Sequence, residues 1–174
     1  MESDGAMIQI LSRIGVLALA AWLGGPTLAQ ETTGWRVLQE TDPVECYAVS
    51  TPTSQENRRD GQPVEVPRSD TFLYVLFRPS EGLSGQVVFT GGYPFGPGSP
   101  VILDVEGTQF TLFTEDEWAW SETPEEDAGI VEAFRRGSEA VLTGRSERGT
   151  VTRDTFSLLG FTAAVEEAQR LCPS

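Results

Sequence analysis

The sequence predicts a mainly β fold, an antiparallel β-sandwich or barrel-like domain carrying two short α-helices. Three observations lead there. Short apolar runs, some alternating and some continuous, recur between breaks rich in Gly and Pro. Helical spacing shows in two segments, one opening near Thr123 and one near the chain end. The strands come in succession rather than alternating with helices, so hairpin connections fit better than parallel crossovers.

The elements follow in order. "WRVLQ" (35–39) alternates, and "VECYAVS" (44–50) follows across "ETDP". Residues 51–69, "TPTSQENRRDGQPVEVPRS", hold three prolines, a Gly and mixed charge, which predicts a long exposed loop and a candidate contact surface. "DTFLYVLFRP" is apolar on both faces and reads as a central strand buried on each side. "GQVVFTG" adds another strand. "GGYPFGPGSP" (91–100) then carries four glycines and three prolines, a composition that demands a rigid turn and offers Tyr93 and Phe95 as packing handles. It is the second candidate contact surface. Its glycine spacing does not lead from a strand into a helix, so a phosphate cradle does not follow.

"VILDVEGTQFTLFT" reads as a hairpin turning at Glu106-Gly107. The stretch after it, "TEDEWAWSETPEEDAG", packs seven acids and two tryptophans into sixteen positions. Much of it is a helix start. Thr123, Pro124 and Glu126 occupy the N-cap, N1 and N3 places of a capping box, and Glu125 to Asp127 complement the positive end of the helix dipole. Ile130, Val131 and Phe134 form the apolar stripe, Arg135 and Arg136 meet the negative end, and Gly137 ends the helix. Glu115, Asp116 and Glu117 remain, without the alternating acids and central Gly of a calcium loop, so a solvated turn is the expectation. "SEAVLTGRS" and "GTVTRDTFSLLG" are two further strands, and in the second Thr150, Thr152 and Asp154 alternate with Val151 and Arg153, a half-exposed pattern. The closing "TAAVEEAQRLC" is an amphipathic helix with Thr162 as its expected cap.

Residues 1–29 differ in kind. Arg13 precedes an apolar run from Ile14 to Leu23, and Thr27 and Ala29 place small residues before a cut. This is the pattern of a secretory signal peptide, too short in its apolar run to span a bilayer. Met7 makes a better start than Met1, because Glu2 and Asp4 do not suit a basic leader. The expected organisation is therefore a signal peptide at 1–29 and a single domain at 30–174, exported to the periplasm.

The chain has 26 acids against 12 basic residues, a net charge of −14, and every basic residue is Arg. Such a charge excludes nucleic acid as a partner, which needs a basic face, and favours solubility. Without His or Lys there is no imidazole base or zinc ligand and no amine for a Schiff base. No catalytic, cofactor-binding or metal site is expected. The two cysteines, Cys46 and Cys172, are expected to form a disulfide in an oxidising compartment, the rivals being free thiols or a bridge to another protein.

Taken together, "WRVL", "CYAVS", "DTFLYVLFRP", "TGGYPFGPGSPV", "FTLFTEDEWAW", "GSEAVLTGRSERGTVTRDTFSLLGFTAAVEEA" and the terminal Cys resemble the invasion-associated locus B family of secreted bacterial proteins, from Trp35 to Cys172. The resemblance implies a periplasmic or envelope location in a Gram-negative bacterium and a family history in host-cell invasion. It transfers no catalytic residues. Many relatives carry a Cys shortly after the first Trp, where this chain has Gln39, which leaves Cys46 with Cys172 as the internal pair. The expected function is a non-catalytic exported module that binds a protein or an envelope component. An accessory or inhibitor of a basic client is the alternative, and a carboxylate-based hydrolase a more remote one.

Overall fold

A computed structural model of the protein describes residues 34–173, so the expected signal peptide lies outside the described residues. Eleven strands form one open antiparallel sheet. They are β1 (Trp35–Thr41), β2 (Val44–Ser50), β3 (Ser54–Arg59), β4 (Gln62–Pro63), β5 (Phe72–Arg78), β6 (Leu83–Thr90), β7 (Val101–Val105), β8 (Thr108–Glu115), β9 (Trp118–Trp120), β10 (Glu139–Arg145) and β11 (Val151–Ser157). Their order across the sheet is β1-β2-β5-β6-β9-β8-β7-β10-β11-β3-β4. The helices are α1 (Pro124–Arg136) and α2 (Phe161–Leu171). The mainly β antiparallel architecture with two helices is thus present.

The sheet is continuous, yet it encloses a core as a sandwich does. The fold-over is at β8, whose first residues, Thr108 to Leu112, pair with β7 and whose last, Phe113 to Glu115, pair with β9. The two halves therefore face each other. Phe89 on β6 and Phe156 on β11 lie far apart in sheet order but meet edge to face at 6.1 Å. Leu73, Val75, Val87, Leu103, Leu112 and Leu142 fill the space between with essentially no exposure. At the open end Trp35 Nε1 donates to Ser157 O at 2.8 Å, tying β1 to β11.

Both helices pack onto the first half. The α1 capping box forms as the sequence required: Glu126 N donates to Thr123 Oγ1, and Thr123 N donates back to Glu126 Oε2. Ile130 and Phe134 are buried, and Phe134 stacks edge to face on Phe161 of α2 at 5.2 Å. Gly137 ends α1 in extended backbone, not the left-handed form. It is needed for space, since a Cβ there would meet Val105 Cγ1 at 2.8 Å. A disulfide joins Cys46 on β2 to Cys172 just past α2, with Cα atoms 5.8 Å apart.

Three expectations need correction. The segment 51–69 is not one loop: it contains β3 and β4, joined at Asp60-Gly61, and β3 pairs with β11 from Ser54 to Arg58. "SQENRR" has no apolar face, so its strand conformation comes from the partner strand and not from its own pattern. The final helix begins at Phe161 with Gly160 as its cap, in left-handed backbone and with no side-chain hydrogen bond; Thr162 is already inside it. Strand β5 is fully covered on its inner face but only partly on the other, where Leu76 is buried and Phe72 and Tyr74 are half-buried. The half-exposed alternation of β11 is present, with Thr150, Thr152 and Asp154 on the buried face and Arg153 on the exposed one.

Candidate functional site

The buried face of β11 puts a carboxylate inside the protein, and the candidate site is built around it. Asp154 has no exposed side-chain surface, and a buried charge requires a partner and hydrogen bonds. Arg68 supplies both. Its Nη1 donates to Asp154 Oδ1 at 2.8 Å and its Nη2 to Oδ2 at 2.7 Å, a two-pronged contact that the planar guanidinium fits and an ammonium does not. Gln55 Nε2 donates to the same Oδ1 at 3.3 Å. Arg68 also donates from Nε and Nη2 to the carbonyl of Gly91, and from Nη1 to Asn57 Oδ1.

Those bonds join the two segments that the sequence marked as contact surfaces. Arg68 lies at the end of 51–69, and Gly91 opens "GGYPFGPGSP". A backbone bond from Ser69 N to Gly92 O, 3.0 Å long, adds a second tie. This closeness demands glycine: at φ +71, a Cβ on Gly92 would lie 2.3 Å from Ser69 O. The guanidinium of Arg68 stands over the Tyr93 ring at 5.1 Å, a cation–π contact. Tyr93 Oη and Thr152 Oγ1 share a hydrogen bond at 2.5 Å. Burial pushes the Tyr93 phenol up to about 12, against opposing effects of the Thr152 bond and the nearby Arg68.

Above this floor opens a cleft of about 390 Å³. Residues 66–69 form one wall, 92–94 a second and the 146–152 turn a third, with Arg59 at the side. Arg59 Nη2 donates to Thr150 Oγ1 at 2.7 Å, while its Nε is buried and has no acceptor among the described residues. Guanidinium groups and a phenol that keeps its proton at neutral pH hold and orient a ligand; they do not move protons near neutrality.

The acidic residues fall elsewhere. Glu115 closes β8, and Asp116 and Glu117 make the turn into β9, where Phe95 N donates to the Asp116 carbonyl at 2.7 Å. Among the described residues no group of three or more His, Cys, Asp or Glu is placed to hold a metal. Asp127, at the N-terminal end of α1 as expected, is buried. It accepts Val87 N at 2.7 Å and Ser121 Oγ, and burial raises its pKa above the usual carboxylate range. This acid satisfies a strand amide; it does not line the cleft. Cys46 and Cys172 are bonded to each other and buried, away from the cleft.

A separate surface carries aromatic rings. Tyr47, Tyr74 and Trp118 run across β2, β5 and β9, with ring centroids 6.2 and 6.3 Å apart. Leu38 and Trp118 remain substantially exposed there.

Sequence reasoning did not find Arg68, Asp154 or Arg59. A signal for Asp154 existed: in "GTVTRDTFSLLG" it shares its phase with Thr152 and Phe156, so an inward Phe156 implies an inward acid.

A mainly β fold, closed by a disulfide and bearing a polar cleft beside a Gly- and Pro-rich turn, is the class that the fold and site define. The model of the family "Invasion associated locus B (IalB) protein" matches residues 37–169. The chain belongs to that family. Among solved structures it is similar to the crystal structure of invasion associated protein b from Bartonella henselae, with a TM-score of 0.52 and 14% identity over 80% of this chain and 94% of that one. At that identity the likeness concerns the fold. No curated protein matches the sequence.

Proposed function

We propose that this chain is an exported, non-catalytic binding module. It works in the periplasm or envelope of a Gram-negative bacterium and meets a protein or envelope component at the cleft floored by Arg68 and Tyr93. The observation that carries this reading is the convergence of 66–69 and 92–94 on one cleft, above a buried ion pair that fixes both segments. A rigid floor lowers the ordering cost of binding. The leader-like residues 1–29 and the disulfide favour export, and the family's description associates it with invasion. The chain's lack of His and Lys leaves little proton-transfer chemistry for the cleft.

The test is chemical crosslinking of the exported protein in its native periplasm, followed by mass spectrometry. A reproducible partner linked through 66–69 or 146–152 is expected. Recovery of the protein in the cytoplasm, or partner crosslinks confined to other surfaces, would remove the proposal.

A second reading is an accessory or inhibitor that binds a basic client. The exposed Trp118, with Glu115 and Asp116 just before it in the chain, favours this reading, because an aromatic anchor rimmed by acids suits a cationic partner. Partner binding that disappears at high salt and maps to Trp118 would select this reading over the first.

A further inference from the structure

The charge of the cleft runs against the charge of the chain. The protein carries −14 overall, yet Arg59, Arg68 and Arg148 line this one cavity, with Glu147 as its own acid. Asp154 beneath the floor is committed to Arg68. Pairing Asp154 with Arg68 and setting Glu147 against one further guanidinium leaves an excess of a single positive charge.

The donors are uncommitted in the same place. Arg78, elsewhere, has a buried Nε that lies 2.6 Å from Glu45 Oε1. Arg59 has no such carboxylate: Nη2 meets Thr150 and the buried Nε meets nothing among the described residues. A guanidinium that lines the cleft with no carboxylate of its own leaves its charge for an acceptor from outside. The walls beside it are apolar, made by Val66, Pro67, Pro94 and the face of Tyr93.

We propose that the cleft binds a carboxylate carried on a small apolar stem. Arg59 and Arg148 hold the oxygens, and Val66, Pro94 and the Tyr93 ring receive the stem. The inference rests on the binding-module reading and names the ligand chemistry of the same site. Guanidinium pairs with carboxylate or phosphate oxygens equally well in geometry. The charge balance decides between them, since a monoanion neutralises the excess and a phosphate dianion overshoots it.

The test is a titration of the exported domain, followed by backbone amide NMR shifts. The probes are N-acetyl-leucine, its uncharged amide and inorganic phosphate. Saturable shifts at 66–69, 92–94 and 146–150 are expected for the carboxylate, with the amide and phosphate at least about tenfold weaker. Arg59→Gln and Arg148→Gln each reduce the carboxylate's affinity by a similar factor, and Arg136→Gln on α1 leaves it unchanged. Should Arg59→Gln fail to fold, Arg148→Gln and the charge-preserving Arg59→Lys carry the comparison. Tighter binding of phosphate, equal binding of the amide, affinity unchanged in both cleft variants, or no shift at millimolar probe would overturn the inference. A crosslinked partner at the cleft combined with silence toward the carboxylate removes this ligand and leaves the binding-module reading standing. Carboxylate binding without a macromolecular partner does the reverse.

Discussion

Arg68 and Asp154, 86 residues apart in sequence, form a two-pronged ion pair whose side chains are 8% and 0% exposed. The pair fixes the 66–69 segment to β11 and, through the Gly91 carbonyl, to the Gly- and Pro-rich turn. It is the floor of the cleft, and the shape of both walls depends on it.

Removing one partner leaves a buried charge without compensation. Arg68→Met and Asp154→Leu are each expected to cost about 3–5 kcal/mol, while the double replacement costs much less than the two together. Urea denaturation of the four proteins measures the cycle. Additive losses would mean that the two side chains are not coupled.

Gly92→Ala places a methyl group 2.3 Å from the Ser69 carbonyl in left-handed backbone. The expected result is a loss of at least about 1–3 kcal/mol and a displaced cleft wall. Gly98→Ala, also at positive φ but with open space around it, should show only the backbone strain. Equal losses at the two positions would deny the close approach.

Cys46 and Cys172 close a loop of 126 residues onto α2. Replacing both by Ala is expected to lower stability by roughly 4–5 kcal/mol on the loop-entropy model. Calorimetry of the oxidised and doubly substituted proteins checks it, and unchanged melting would contradict the role.

Asp127 makes a pH-dependent contribution of its own. Its folded pKa is raised above the ordinary 3.8, chiefly by burial. A raised carboxyl favours the folded state while protonated, so its contribution is complete below the unfolded pKa. It is lost as pH rises from there through the folded value. Asp127→Asn keeps an oxygen for Val87 N and Ser121 while removing the titration. The difference in urea midpoint between variant and parent should therefore move in the variant's favour as pH rises above about 4. A constant difference would show that Asp127 ionises as freely as it does in the unfolded chain.

Part of this fold is legible in the sequence because it follows from local chemistry. The Thr123 capping box, the 101–113 hairpin and the two-helix, many-strand pattern are properties of neighbouring residues, and each forms. Other features belong to distant partners. "SQENRR" is a strand because β11 offers it a ladder, and nothing within six polar residues announces that. Gly160 starts α2 without a side-chain cap, although Thr162 nearby has the better capping chemistry. For the site, composition marks both cleft-forming segments as exposed contact surfaces. Their meeting is not legible, because it depends on Arg68 reaching an acid 86 positions away.

The most direct test of the central claim is site-specific photocrosslinking in the native periplasm. A photoreactive residue placed at Val66, on the cleft wall, is compared with one at Gln169, exposed on α2 away from it. A cleft that binds a partner predicts a discrete crosslinked species from position 66 and none from position 169. Crosslinking at 169 with silence at 66 would contradict it, and would move the working surface of this protein from the cleft to its helical face.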